Sequence, residues 1–139
     1  MGQKAMTKED RLRKVPLFST LDKRHLAEIV RIADVADVPA GKVMERMGAI
    51  GHQFVLILEG QATVEQNGKV INRLSENDFF GEIALIANRP RTATVTADTA
   101  MKVLVVERNY FAELLEATPG LWKEIAIALC SYIPSSESR

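Results

Sequence analysis

The sequence contains very little of several things that define whole classes of proteins. It has one cysteine, Cys130, so no internal disulfide can form and a disulfide-stapled scaffold is excluded. Only 8 Gly and 5 Pro occur among 139 residues, too few for a collagen-like or low-complexity chain. The longest uninterrupted apolar run, residues 125–130, is far shorter than the roughly 20 residues that cross a bilayer.

The chain also lacks an excess of either charge. The 18 Lys and Arg residues balance the 18 Asp and Glu residues, so no overall field attracts the protein to nucleic acid or to an anionic membrane. Residues 1–14 are polar and charged, unlike a secretory signal peptide. These features predict a cytoplasmic protein with no membrane insertion and no direct nucleic-acid binding.

What the sequence does contain is enough apolar material, 47% of its residues, for a single folded domain. Its first third is predicted to be helical. Residues 6–14 form a short charged segment in which Thr7 and Asp10 are placed as a weak capping box. In residues 21–33, apolar side chains recur at helical spacing and define one buried face.

The middle of the chain changes to a period of two, with turn residues between short segments. Strands are predicted at residues 43–47, 54–58, 62–65, 69–74, 92–97 and 101–106. The dipeptide Asn67-Gly68 separates two of them and indicates a tight hairpin, because both residues tolerate positive φ. Many short strands at this spacing favour a double-sheet roll or a small barrel.

From residue 109 onward the pattern is again helical. One stripe begins after a possible cap at Asn109 and consists of Tyr110, Phe111, Leu114 and Leu115. Thr118 and Pro119 then resemble a cap and first helical residue. The stripe that follows consists of Trp122, Ile125, Ala126, Leu129 and Ile133. Cys130 is interpreted as a small core residue of this last helix.

One segment, residues 79–95, interrupts the strands and is called the cassette below. Residues 82–87 favour about one and a half turns of helix, directly after Gly81. The first N–H groups of a helix lack intrahelical partners, and a glycine lets a ligand approach them, so phosphate is the expected ligand. Arg91 can pair with two phosphate oxygens, and Glu82 can accept a hydrogen bond from a ribose hydroxyl.

The cassette sequence FGEIALI, three residues, then PRTATV resembles the phosphate-binding cassette of cyclic nucleotide-binding domains. These domains occur in cyclic-nucleotide-dependent kinases, cyclic nucleotide-gated channels and catabolite activator-type regulators. The resemblance extends over about residues 17–133. It implies a mainly β member of the α+β class, a double-stranded β-helix (a jelly-roll-like β-roll) flanked by N-terminal and C-terminal helices. It also implies a sensor without catalytic activity or a cofactor beyond its ligand.

The resemblance implies a set of ligand-contacting residues in the cassette. The set is Phe80, Gly81, Glu82, Ile83, Ala84, Arg91, Thr92 and Ala93. In it, Glu82 accepts the ribose 2′-hydroxyl, the amides of Ile83 and Ala84 meet the cyclic phosphate, and Arg91 pairs with its charge. Thr92 is either a reader of guanine or an ordinary outward-facing strand residue.

A residue of the last helix is expected to cap the base, and Trp122 and Tyr132 are the two candidates. Trp122 has an alternative role in the stripe that packs this helix on the roll. His25 and His52 raise the question of a cupin-like metal site. Two histidines on different elements do not supply such a cluster, so no metal is expected.

The predicted organisation is a short helical segment at 1–15, a cyclic nucleotide-binding domain at 16–133 and a flexible tail at 134–139. The predicted function is to bind a 3′,5′-cyclic nucleotide, cyclic AMP slightly in preference to cyclic GMP, and to signal by repositioning the C-terminal helices onto a protein effector. The alternative is a nucleotide-free β-roll that binds a protein partner.

Overall fold

A computed structural model describes residues 6–131. At its start, helix α1 (Lys8–Leu12) is followed by a 3-10 helix at Pro16–Phe18 and by helix α2 (Lys23–Ile32). The predicted capping box is confirmed, because Asp10 N–H donates to Thr7 Oγ1 at 3.0 Å and Thr7 N–H donates to Asp10 Oδ2 at 3.1 Å. These short reciprocal bonds fix where the first helix begins.

The described residues between the helices form eight strands in two antiparallel sheets. In chain order the strands are β1 (Asp34–Val38), β2 (Val43–Glu45), β3 (Gln53–Glu59), β4 (Ala62–Gln66), β5 (Lys69–Leu74), β6 (Phe79–Phe80), β7 (Thr94–Ala97) and β8 (Met101–Glu107). One sheet has the order β1-β8-β3-β6 and the other β2-β7-β4-β5. Two such sheets with flanking helices confirm the predicted β-roll.

The β4–β5 connection is the tight hairpin that the sequence predicts. Asn67 and Gly68 both have positive φ, 53° and 80°, and Gln66 pairs with Lys69 across the turn. Two consecutive positive φ values match the right-handed twist of the flanking strands. The hairpin register is therefore set by two residues.

Two apolar cores hold the sheets and helices together. The first lies inside the roll and includes Val55, Ile57, Val64, Phe80 and Val95. The second joins the helices to the outer face of β3 and β8 and includes Phe18, Phe54, Leu104, Phe111 and Ile125. Successive residues of β3 face opposite sides, so Phe54 and Val55 enter different cores. This strand therefore couples the helices to the roll.

The last two helices differ from the predicted pattern in their caps. Helix α3 (Arg108–Ala117) begins after Glu107, so Asn109 lies inside its first turn and is not the cap. Helix α4 (Leu121–Ser131) begins two residues after Pro119, and Thr118 accepts a bond from the Leu121 N–H across the intervening turn. Both predicted caps are therefore wrong by a few residues, the usual error at helix ends.

The buried faces of these helices also differ from the predicted stripes. Tyr110 and Trp122 are half exposed, and Leu121, Ile125 and Ala128 form the buried face of α4. Cys130 is exposed, so its assignment to the core is wrong. Apolar residues surround α4 on nearly every side, and its pattern alone does not select a face. Tyr132 and Ile133 lie outside the described residues. Between residues 6 and 131, no helix combines the length and apolar character needed to cross a membrane.

Candidate functional site

The cassette places a sharp bend between β6 and a short helix. Gly81 adopts the left-handed conformation (φ 85°) and is followed by a 3-10 helix at Glu82–Leu85, called the cassette turn below. The Ala84 N–H donates to the Gly81 carbonyl oxygen at 3.0 Å. It is therefore not the unpaired donor that an α-helix would present, and a ligand would have to share this bond.

Arg91 is the central charged group of the site. Its side chain is only 8% exposed, and its Nη2 atom donates to the backbone oxygen of Gln53 at 3.0 Å. Its Nε atom lies 2.5 Å from Glu45 Oε1. That contact lacks hydrogen-bond alignment, and within the described part of the chain the Nε–H has no hydrogen-bond partner. A buried guanidinium with an N–H that lacks an aligned acceptor can donate it to an anionic oxygen of a ligand.

Two glycines form the walls of the groove that holds the Arg91 guanidinium. A Cβ atom at Gly51 would lie 2.5 Å from Nη2 of Arg91, and one at Gly81 would lie 2.6 Å from the same atom. Any side chain at either position would displace the guanidinium. The Arg91 guanidinium therefore occupies space that is available only because residues 51 and 81 are both glycine.

Glu45 is the partner of Arg91, and its own ionisation is unusual. Its side chain is 11% exposed. Burial raises the pKa of Glu45 from 4.5 to about 7; the positive charge of Arg91 opposes this shift, and the negative charge of Glu82 adds to it. Near neutral pH, Glu45 is therefore divided between its charged and neutral forms.

Two cavities meet at Arg91. The larger, of about 330 Å³, lies beside β2 and β3 and is lined by Met44, Glu45, Arg46, Ala49, Ile50, Gly51, His52, Gln53, Val55, Phe80, Arg91 and Glu107. The smaller, of about 40 Å³, is lined by Ile83, Ala84, Ala87, Arg89, Pro90, Arg91 and Thr92. The larger volume is at the lower end of the range for small-molecule pockets.

The structure brings most of the predicted cassette residues together. Phe80, Gly81, Glu82, Ala84, Arg91 and Ala93 are buried around the cassette turn and the start of β7. Ile83 is partly buried. Thr92 is exposed, and its backbone oxygen accepts a bond from Gln66 Nε2 at 2.9 Å.

Of the two candidates for a base cap, only Trp122 lies among the described residues. Trp122 is 52% exposed on α4 and is not among the residues that line either cavity. Tyr132 lies outside the described residues. Instead, the helix in contact with the cassette turn is α3. His52 lines the larger cavity, and His25 is buried on α2, so the two histidines do not share a site.

Sequence reasoning missed three contributors to the site: Glu45, Gly51 and the backbone oxygen of Gln53. All three belong to the β2–β3 region, which the sequence indicated only as a strand and a glycine turn. The sequence offered one signal for Glu45, namely that it is a carboxylate in the predicted strand 43–47, where three of the five residues are apolar. Its pairing with Arg91, far along the chain, depends on the sheet order and is not a local property.

The sequence is similar to those of known proteins over most of its length. The profile of the family described as "Cyclic nucleotide-binding domain" matches residues 35–118. The chain is 40% identical over 111 residues to a cAMP-dependent protein kinase regulatory subunit of Schizosaccharomyces pombe, a match that covers 79% of this chain and 27% of that protein.

Solved structures give a consistent comparison. The N-terminal domain of a transcriptional regulator from Streptomyces coelicolor A3(2) superposes with a TM-score of 0.79 at 25% identity, covering 88% of this chain and 91% of that one. A structure described as "cAMP bound PfPKA-R (141-441)" superposes with a TM-score of 0.66 at 25% identity, covering 89% and 45%. The chain spans 25–31% of the length of four of the curated relatives that it matches.

Proposed function

The chain belongs to the cyclic nucleotide-binding domain family, and from this premise we propose that it binds a 3′,5′-cyclic nucleotide at the cassette. In this proposal cyclic AMP is slightly preferred over cyclic GMP. Binding repositions the C-terminal helices, which pass the signal to a protein effector. The domain acts as a sensor and carries out no reaction.

The observation that carries the proposal is the state of Arg91. Its guanidinium is buried, has one backbone acceptor at 3.0 Å and retains an Nε–H without an aligned partner. A cyclic phosphodiester has one negative charge and exposed oxygens, so it can replace Glu45 as the anionic partner of Arg91 and accept an aligned bond from the Nε–H. Because the Arg91 side chain is buried, such a charge-assisted bond is stronger than at the surface.

The cassette turn supplies the remaining contacts in the proposal. Gly81 has no side chain to obstruct the ring of the ligand, and Ile83 and Ala84 line the small cavity next to Arg91. The Glu82 carboxylate, buried at the first position of the turn, accepts the ribose 2′-hydroxyl. Ala93 is small and buried next to this region, which permits a close approach.

The preference for cyclic AMP depends on Thr92. Its exposed position, before the first residue of β7, is consistent with an ordinary strand-end residue. A guanine reader would need its hydroxyl to face the base. The kinase relative is named for cAMP dependence and the PfPKA-R neighbour is described as cAMP bound, which supports the same preference.

The output in this proposal passes through α3. This helix packs on both the cassette turn and α2, and Phe111 and Leu114 lie in the same core as Leu85 of the turn. A ligand that draws the turn toward its phosphate would shift α3, and α4 after it. The ligand can shift this equilibrium only by the difference between its affinities for the two arrangements.

The proposal is tested by calorimetric titration of the protein with cyclic AMP and cyclic GMP. Arg91→Ala should weaken binding by about 100-fold, because it removes a buried charged partner of the phosphate. Glu82→Ala should also cause a large loss. Arg31→Ala, which removes an exposed arginine from α2, is the matched control and should leave the affinity unchanged.

Equal affinities in wild type and Arg91→Ala would refute the proposal. Absence of heat with either nucleotide would favour the alternative, a β-roll that binds a protein partner. The exposed apolar side chains of Tyr110, Trp122 and Ile127 on the last two helices are the observation on its side, since such residues are common at interfaces.

A further inference from the structure

Three side chains that the nucleotide site does not use converge where α2 begins against α4. Asp22 precedes α2, His25 lies in its first turn, and Glu124 lies in the first turn of α4. One ligand atom from each residue lies within 4.8 Å of the other two. We call these residues the helix-junction cluster.

The two distances from His25 to the carboxylates suit a bound metal ion. His25 Nδ1 lies 3.0 Å from Glu124 Oε2 and 3.5 Å from Asp22 Oδ1. In a tetrahedral zinc site with bonds of roughly 2.0–2.2 Å, neighbouring ligand atoms are separated by about 3.4 Å. Both separations are therefore within a few tenths of an ångström of the edges of a zinc tetrahedron.

The surroundings of His25 would accommodate a positive charge. The residue is 3% exposed, and among the described residues its Nδ1 atom has no hydrogen-bond partner, although it faces two carboxylates. A bare lone pair on Nδ1 facing two anionic oxygens is unfavourable at low dielectric, so either a proton or a metal ion has to lie between this atom and the carboxylates. A metal ion between the three atoms would bind that lone pair and neutralise both carboxylates.

Backbone donors already hold the two carboxylates in place. Glu124 Oε1 accepts the Asp22 N–H at 2.9 Å, and Asp22 Oδ1 accepts the His25 N–H at 2.8 Å. Such supporting hydrogen bonds are typical of the surroundings of metal ligands, because they fix ligand orientation before the ion arrives.

We propose that Asp22, His25 and Glu124 bind one Zn²⁺ ion, which ties the start of α2 to α4. A set of one imidazole and two carboxylates suits zinc, whereas Mg²⁺ and Ca²⁺ prefer ligand sets made only of oxygen. Three protein ligands leave a fourth position for water. The ion would restrain the helix that the proposed signal has to move, so its affinity has to be measured in the absence of nucleotide.

The test is a titration of the chelator-treated full chain with ZnCl₂ by calorimetry, with metal content measured in parallel by mass spectrometry. We expect one Zn²⁺ per chain. Glu124→Gln and Asp22→Asn should each weaken binding at least about tenfold. Both variants keep an oxygen for the backbone donors, and asparagine remains a good helix cap, so the fold is preserved. His25→Gln, checked for folding by circular dichroism, should abolish binding.

Two other side chains are able to bind zinc without a built site, the exposed Cys130 and His52. The double variant Cys130→Ser/His52→Gln should therefore retain stoichiometric binding. Binding that is lost in this double variant, or that survives Glu124→Gln unchanged, overturns the proposal, as does the absence of stoichiometric zinc in the wild type. None of these outcomes depends on whether the cassette binds a nucleotide.

Discussion

Glu45 and Arg91 form a buried ion pair at the position that the proposed phosphate would occupy, with Glu45 Oε1 2.5 Å from Arg91 Nε. The pair joins β2 to the cassette, and both side chains are about nine-tenths buried. In the protein without ligand, Glu45 therefore supplies the negative charge that Arg91 requires. A bound phosphate would compete with Glu45 for the same guanidinium.

This competition predicts a pH-dependent effect of Glu45→Gln on nucleotide affinity. The pKa of Glu45 is raised to about 7, so at pH 8 most of the wild type carries the competing carboxylate, and at pH 6 little of it does. At pH 8 the variant should bind about tenfold more tightly than the wild type, a difference of about 1.4 kcal/mol. At pH 6 the two affinities should agree. Calorimetric titrations at both pH values provide the measurement.

Glu107→Gln is the matched control for this experiment. Glu107 lines the same cavity, and its carboxylate bonds to Gln53 Nε2 at 2.6 Å. This variant should retain the pH dependence of the wild type. If Glu45→Gln bound no more tightly than the wild type at pH 8, Glu45 would not be a competitor of the ligand.

The same ionisation predicts how stability depends on pH. Because the pKa of Glu45 is raised from 4.5 to about 7 in the folded state, the folded protein binds more protons than the unfolded chain between these values. The contribution is fully present below pH 4.5 and is lost as the pH rises through about 7. Between pH 5 and 8, the free energy of unfolding should fall by about 2–3 kcal/mol from this group.

Urea denaturation at pH 5 and pH 8, with Glu45→Gln for comparison, measures the effect. The variant cannot titrate at this position, so its stability should change much less over the same interval. Asp22 should not contribute to this change. Its pKa is lowered, so its contribution to the free energy of unfolding is lost only in acid, below pH 5. Parallel pH profiles for the two proteins would show that Glu45 is not the group responsible.

Local features of the sequence predicted local features of the structure. The Asn67-Gly68 turn and the Thr7–Asp10 capping box each depend on neighbouring residues, and both are confirmed. The face of α4 was predicted wrongly because Trp122 and Leu121 are both apolar, and only packing against the Pro16–Phe18 region decides which is buried. A pattern gives the period of a helix but not its rotation when apolar residues surround it.

In the site, too, only the residues that are close in sequence could be predicted. Gly81 and Arg91 are close in sequence and form a recognisable motif. Glu45 and Gly51 reach Arg91 only because the sheets fold back on themselves, with β2 next to β7. The short two-residue strand β6 was missed because Phe79 and Phe80 provide no alternation to detect.

Gly60 provides a prediction about stability alone. It has a φ of 104°, and a Cβ atom there would lie 2.9 Å from Met101 Cα and 2.8 Å from the Ala100 oxygen. Gly60→Ala should therefore destabilise the fold by at least about 2 kcal/mol, through backbone strain and backbone crowding. Nucleotide affinity, measured below the unfolding temperature, should be unchanged. Denaturation that matches the wild type would contradict this account of the β3–β4 turn.

Gly51 provides the opposite prediction, an effect on binding with little effect on stability. Its φ is not positive, so alanine fits its backbone, and the nearest obstacle to a Cβ atom is the flexible guanidinium of Arg91. The cavity beside it gives that side chain room to move. Gly51→Ala should weaken nucleotide binding about tenfold or more, whereas the free energy of unfolding should fall less than in Gly60→Ala, because a side chain and not the backbone has to move. Titration and denaturation of Gly51→Ala and Gly60→Ala side by side should show opposite patterns. If Gly51→Ala bound the nucleotide as the wild type does, the groove between Gly51 and Gly81 would not be what positions Arg91 for the phosphate.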